Sequence, residues 1–473
     1  MIPNLKSKLK TMSSSSPLDK RNPGIQSDTI QYPDNPSMDN DFPDKESLDC
    51  SEYLVVNRKS ADSDSGTDLK DSLCIKKSNF SMGNRENRDR TLVNDSDTRG
   101  NLDGEVIESP HGSFVRKRTF YGGSTAYGSI AFSELLAADF SDSKFWSRLN
   151  RDICLRDLVF LDTETTGLSG GTGTYAFLVG LGYITDEGLV VEQYLMRDFD
   201  EEYPMLQSLL DTLKRFKILV SFNGKSFDWP LLESRLVYSR LRNIIWEDAH
   251  LDLLHVARRL WGYRLSSCSL ISIEEEILGL QRSDDIPGHM IPKMYFDYLE
   301  TRNTDVMQLI MQHNEWDIVS MAALLLYINR LYKDPEGKAD ACELLGIAKE
   351  LERNYRIQEA ANCYRRCIQT AHKHSLSVEA KKRLAYLTKR HHSPGEAMHL
   401  WADLSSEGDS CLIFPLIEMA KYYEHGKKEF HLALQCTERA IHLAGMRSTS
   451  SSRLKEELLV RRRRLINKMK RSM

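Results

Sequence analysis

Apolar positions are unevenly spread along the 473 residues, and their spacing divides the chain into three stretches. Up to about residue 115 no period is sustained. Polar runs such as Ser13-Ser14-Ser15-Ser16 and Asp62-Ser63-Asp64-Ser65-Gly66 surround short islands such as Tyr53-Leu54-Val55-Val56. So polar a segment buries too little surface to offset its ordering entropy, and residues 1–115 are expected to be disordered. From about Phe120 the pattern becomes globular. Apolar runs of strand length cover 158–161, 176–184, 189–195 and 218–222, and Thr185-Asp186-Glu187-Gly188 joins the middle two as a hairpin turn. Helical periodicity then governs 203–216, 229–238, 251–261, 270–278 and 304–332. Strands opened by a hairpin and then covered by helices predict an α/β layer architecture over residues 116–335.

The third stretch, 336–473, is helical with an internal repeat. Ala360, Ala397 and Ala433 recur about every 36 residues, each followed four residues later by Tyr364, Trp401 or Thr437. Ala348, Ala385 and Ala420 lie upstream at nearly matching offsets. Helix pairs with small residues at the crossing points are similar to tetratricopeptide repeats; an unrelated helical bundle is the other reading. A last helix, 452–470, puts Leu454, Leu458, Leu465 and Met469 on one face and Arg461 to Arg464 around the rest. It reads as a basic cap on the stack, available to nucleic acid.

Composition adds three constraints. No run approaches the ~18 apolar residues of a membrane helix, and the N-terminus lacks a signal-peptide core, so a cytoplasmic protein is expected. The nine cysteines are scattered without a CxxC pair, which excludes a disulfide or zinc framework; Cys363 and Cys367 read as small core residues. The net charge of −4 conceals an asymmetry: residues 333–473 hold 27 Lys and Arg against 18 Asp and Glu, and the remainder holds 37 against 50. An acidic middle with a basic end points to metals in one part and an anionic partner on the other.

Three separated acidic motifs carry the chemistry. The run Leu158-Val159-Phe160-Leu161 leads into Asp162-Thr163-Glu164, and strand pleat sends Asp162 and Glu164 to one side. Carboxylates that close repel unless divalent cations neutralise them, and hard oxygen ligands suit Mg²⁺ or Mn²⁺. The strand 218–222 ends in the turn Asn223-Gly224-Lys225-Ser226, after which Phe227-Asp228-Trp229-Pro230 enters a helix. Asp228 is a candidate ligand and a candidate cap. In the helix from Thr304, the stripe Ile310, His313, Asp317, Met321, Leu324, Ile328 sets two ionisable groups on an apolar face. A buried carboxylate needs a partner, so Asp317 reads as a ligand and His313 as a base.

The spread of Asp162, Glu164, Asp228 and Asp317 resembles the DEDD exonucleases of the ribonuclease H-like superfamily. Leu161 to Leu168, the 222–232 segment, Asp285-Ile286-Pro287-Gly288 and His313-Asn314-x-x-Asp317 resemble, more closely, the YprB-like ribonuclease H-like family, whose members are often followed by tetratricopeptide repeats. The resemblance covers about residues 155–330. It implies a mixed sheet flanked by helices and 3′→5′ exonuclease hydrolysis of RNA or single-stranded DNA with two divalent ions. Asp162 would bridge both ions, Glu164 and Asp317 would complete one site, and Asp228 would serve the other. His313 would take the water's proton. Histidine-type members usually place that histidine five residues before the aspartate; here the spacing is four, which still keeps both on one helical face. Thr165, Asn223 and Lys225 lie beside the acids as candidate contacts to a terminal nucleotide or phosphate. Asp252 resembles an accessory acid, or favours a helix N-terminus by charge. Arg258, Arg259, Trp261 and Tyr263 mix cations with aromatics, either for stacking bases or as a packed helix end. Two other functions fit the same residues: a catalytically inactive nucleic-acid-binding module, and a scaffold that recruits protein partners through the repeats.

Overall fold

A computed structural model describes residues 102–138, 140, 154–167, 173–241, 246, 249–391, 394–406, 412–446 and 452–472. The strands are β1 (Glu105–Ser109), β2 (Gly112–Gly122), β3 (Ala126–Tyr127), β4 (Ile130–Ala131), β5 (Leu158–Thr165), β6 (Ala176–Ile184), β7 (Gly188–Leu195), β8 (Ile218–Ser221) and β9 (His250–Asp252). Short β3 and β4 pair with each other, and the remaining seven form one mixed sheet in the order β1-β2-β7-β6-β5-β8-β9. The four expected strands and the hairpin are present. β1 and the start of β2 lie ahead of residue 116, where the apolar pattern begins. The disorder expected up to residue 115 therefore does not hold for 102–115: β1 is mostly exposed, but Phe114 and Val115 of β2 are buried in the core, and both strands are ordered by antiparallel pairing with each other and of β2 with β7. The expectation for residues 1–101 lies outside the described residues.

Helices α1 (Phe132–Ala137), α2 (Glu202–Leu213), α3 (Asp228–Tyr238), α4 (Leu253–Trp261), α5 (Leu270–Ile273), α6 (Ile291–Thr301) and α7 (Thr304–Lys333) flank the sheet. Pleat alternation divides the core. Leu158 and Phe160 of β5 join one apolar cluster, with the C-terminal half of α7 and with α4; Val159 and Leu161 join the other, with α2, α3 and α6. Helix α6 escapes the periodicity reading because its anchors are mainly Tyr295 and Tyr298; Tyr295 stacks on Phe177 at 3.8 Å between centroids.

Two glycines decide where α7 lies. Gly180 and Gly182 share one face of β6, and a Cβ on either would collide with α7: with Asn314 Oδ1 at the first, with Ile318 Cγ2 at the second. Asn314 and Ile318 are one helical turn apart, so the glycines form a groove that seats the helix. Gly180 is the register partner of Asp162, and the groove therefore sets α7 beside that carboxylate. Gly180→Val should cost about 1–3 kcal/mol of stability by overpacking. Gly173→Ala, where a Cβ meets open space, should leave the melting temperature unchanged in the same scan.

Beyond α7 the chain is helical: α8 (Pro335–Lys338), α9 (Ala341–Arg353), α10 (Ile357–Thr370), α11 (His374–Arg390), α12 (Pro394–Ser406), α13 (Ile413–Lys421), a π-helical turn over Tyr422–Lys427, α14 (Phe430–Met446) and α15 (Ser452–Ser472). From α9 onward each helix packs on its neighbour in sequence. The repeated positions are all buried, from Ala348, Ala360 and Tyr364 to Ala420, Ala433 and Thr437. Cys363 and Cys367 are core residues, as expected. Trp261 is fully buried and donates Nε1–H to Glu343 at 2.8 Å, and Arg259 lies 3.3 Å from Glu350. The aromatic and basic end of α4 is thus a joint with α9, the packed-end reading.

The terminal arginines differ from expectation. Arg461 and Arg464 each donate to Glu424 at 2.8 Å, and Lys468 does so at 2.9 Å. Burial raises the Glu424 carboxyl, but the bonds and charges of Arg464 and Lys468 outweigh it and hold the group down to about 2. These cations neutralise a buried acid, which a helical-wheel reading of α15 alone does not reveal. Replacing Arg461 and Arg464 together with Gln should lower stability by at least about 1 kcal/mol, the low end for an under-satisfied buried charge. Adding Glu424→Gln should recover most of the loss, as read by circular-dichroism melts.

Candidate active site

The end of β5, the start of α3 and the middle of α7 meet at the C-terminal end of an interior strand of the sheet. β5 runs parallel to β8, so the chain leaving β8 turns back at the level of Asp162. That turn is held from below. Asp252 accepts from the backbone N–H of Asn223 at 2.8 Å, of Lys225 at 3.2 Å and of Leu254 at 3.0 Å, so it ties the turn and caps α4 together. Asn223 takes a positive φ of 68°, which lets the chain reverse sharply into Asp228. Thr163, on the opposite pleat from Asp162, donates Oγ1–H to Asp228 Oδ1 at 2.5 Å. From α7, Asn314 donates Nδ2–H to Asp162 Oδ2 at 2.8 Å, while its own Oδ1 accepts from Gln193 at 2.9 Å.

The loop between α5 and α6 closes the other side. Arg282 bonds Glu274 in a fork, with Nε at 2.7 Å and Nη2 at 2.5 Å, and also reaches Asp285 at 3.1 Å and Asp317. Asp285 in turn lies 2.7 Å from His313 Nδ1. A carboxylate only accepts, so Nδ1–H donates to Asp285, and Nε2 is turned toward Asp317 Oδ2 at 3.8 Å.

The acids repel one another. Burial, then the charges of Asp317 and Asp228, push the Asp162 carboxyl well above its usual range. Glu164 is driven up in the same way by burial and by Asp162, Asp317, Asp228 and Asp285. Burial lifts Asp228 to about 6 although the Thr163 hydroxyl bond opposes it. Among the described residues, Arg282 is the guanidinium in contact with these acids, and it touches Asp317 rather than Asp162 or Glu164. Among the described residues no three His, Cys, Asp or Glu side chains stand together as a ready metal cage. The donor set nonetheless fits a hard divalent cation: it is all carboxylate, it carries excess negative charge, and ionisation costs it free energy.

Those raised carboxyls have a measurable consequence. A native group with a raised pKa binds its proton more tightly than the unfolded chain does. Its stabilising effect is complete below about pH 4 and is lost as pH rises through its folded value, which is near 6 for Asp228 and raised well above the usual carboxyl range for Asp162 and Glu164. In chelator, the melting temperature should therefore rise between pH 7.5 and 5.5, and Asp228→Asn should flatten that rise.

With this geometry in place, comparison with known proteins is informative. The sequence profile described as the RNase H superfamily matches residues 159–329, a span that holds all three acidic motifs. YprB of Bacillus subtilis (strain 168), an uncharacterized protein, is 34% identical over 316 residues, covering 66% of this chain and 75% of its own length. The chain belongs to the YprB family of the RNase H superfamily. That superfamily is one of metal-using nucleases that hydrolyse nucleic acid. The family B DNA polymerase of Pyrobaculum calidifontis aligns at a TM-score of 0.30 and 14% identity, over 48% of this chain and 29% of the polymerase, too low to bear on fold or function.

Within this family member the sequence-read residues fall as follows. Asp162, Glu164, Asp228, His313 and Asp317 lie around the C-terminal end of β5. Thr165 closes β5 with its hydroxyl donated to Gly167 O at 2.8 Å, and Asn223 and Lys225 sit on the turn that Asp252 holds, Lys225 exposed. Arg282, Asp285, Asn314 and Thr163 were not read as site residues. Asp285 and Asn314 stand inside motifs that drew attention, but their contacts cross 28 and 152 residues of sequence. Arg282 gives no local signal.

Proposed function

We propose that this chain is a divalent-metal-dependent 3′→5′ exonuclease acting on RNA or single-stranded DNA through a two-metal DEDD site. The observation that carries the reading is the gathering of Asp162, Glu164 and Asp228 with Asp317 at a charge that the protein itself leaves under-neutralised. The motif pattern of the family supports the polarity. Asp162, Glu164, Asp228 and Asp317 would hold two Mg²⁺ or Mn²⁺ ions. Such ions supply charge neutralisation at the phosphodiester. The chain's own groups do the rest. His313 accepts the attacking water's proton at Nε2 as oxygen bonds to phosphorus and the P–O3′ bond breaks. Asp285 holds the imidazole in the tautomer that leaves Nε2 open. Asn314 orients Asp162, and Asn223, Lys225 and Thr165 border the place for a terminal nucleotide.

In this reading the chain has three parts, with the catalytic part at 116–335 joined to β1 and β2, and with 336–473 as tetratricopeptide-like helix pairs offered to a protein partner. We place the chain in the cytoplasm, a reducing setting that suits described cysteines outside any disulfide. The Arg282–Asp317 contact favours one other reading, an inactive module in which a guanidinium has taken a metal's place. End-labelled oligonucleotides with Mg²⁺ or Mn²⁺ test activity, and calorimetric metal titration separates the two: an inactive module takes up no pair of ions.

A further inference from the structure

Far along the chain from the acidic motifs, the helical region encloses a cavity of about 490 Å³, within the ~300–1,000 Å³ range of small-molecule sites. It lies among α11, α12, α13, the π-helical turn and α15. One wall is cationic. Lys389 and Lys421 donate to the buried Glu418 at 2.5 and 2.7 Å, and Arg461 and Arg464 donate to the buried Glu424. With Lys468 on Glu424 as well, five cations answer two carboxylates, so a net positive charge of three surrounds the space. His425, 3.5 Å from Glu424, adds to it when protonated. The lining also includes the apolar and aromatic side chains of Met398 and Tyr422, beside the buried Trp401.

Three features single this cavity out from a solvated charged surface. First, its cations exceed what the internal acids require; burial and the neighbouring Arg464 charge hold Arg461 below its usual range, a strain that a bound anion would relieve. Second, Arg461 spends one of its five N–H donors on Glu424, and a guanidinium fork matches the oxygens of a phosphate. Third, the wall carrying Tyr422, His425 and Gly426 is a π-helical turn closed by Lys428 at a φ of +58°; such turns give up regular helix geometry and concentrate at functional sites. The apolar part of the lining argues against a free inorganic anion, and the cationic wall against a neutral ring.

We propose that this cavity binds a phosphomonoester carried on an aromatic body, with the phosphate against Arg461, Arg464 and Lys421 and the ring against Tyr422 and Met398. The proposal does not depend on the nuclease reading. The test is calorimetric titration of the full chain carrying Asp162→Asn, in chelator, with adenosine 5′-monophosphate, adenosine and inorganic phosphate. We expect one nucleotide per chain, with adenosine and phosphate each at least about tenfold weaker. Lys421→Met should weaken the nucleotide by a similar factor, and Met398→Trp, which fills the cavity, should abolish binding. No nucleotide binding, equal binding of phosphate or adenosine, or binding untouched by both substitutions overturns the assignment. If either variant melts early, the three-ligand comparison on the Asp162→Asn chain decides alone.

Discussion

Asp162→Asn should lower cleavage of an end-labelled single-stranded oligonucleotide by on the order of 10³-fold, the scale on which removing one group that stabilises transition-state charge is felt. The substitution is chosen because it keeps shape. An asparagine Oδ1 can still accept from Asn314, so the seat of α7 on Gly180 is preserved and only charge is removed. The same change should raise the melting temperature in chelator, because it deletes a buried carboxylate that its neighbours destabilise. Opposite signs for activity and stability are the signature of a site held under electrostatic strain for its function. Cleavage within about threefold of wild type at saturating Mg²⁺ or Mn²⁺ would refute the exonuclease reading.

For His313 the expected loss is about 10²-fold or more on replacement by Ala, the usual scale for a missing general base. The side chain is nearly buried, so a structural role competes with this one. Two measurements separate them. The His313→Ala protein should keep a melting temperature close to wild type, since its ring meets Asp285 and a carboxylate cluster rather than filling an apolar core. Asp285→Asn should also lower kcat, by roughly 10–100-fold, with little change in KM, as expected of a residue that orients a catalytic ring without touching substrate. A collapsed melting curve with normal turnover in the folded fraction would assign His313 to the core instead.

Local pattern carried a large part of this molecule into view. Apolar runs marked β6 to β8 to within a residue and the start of β5, because strands buried on both faces admit few polar side chains; β5 continues four residues further, through Asp162 to Thr165. Period-2 geometry put Asp162 and Glu164 on one side, and period 3.6 aligned His313 with Asp317. The repeat of small and aromatic positions identified buried contacts throughout the C-terminal helices. β1, β2 and α6 left weaker traces, since a polar edge strand, the strand that pairs with it and a tyrosine-anchored helix owe their order to what they pack against.

Contacts between distant segments account for everything else. The mutual approach of the four carboxylates, the capture of Asp317 by Arg282, the tether from Asp285 to His313 and the groove of Gly180 and Gly182 each join residues that share no period. The same holds for Arg461 and Arg464, solvated on a helical wheel yet bound to Glu424 across about 40 residues. Periodicity reports which way a side chain leaves its own backbone. Partners, and with them charge balance and pKa, depend on which other segment arrives there, and that is set by packing the whole fold.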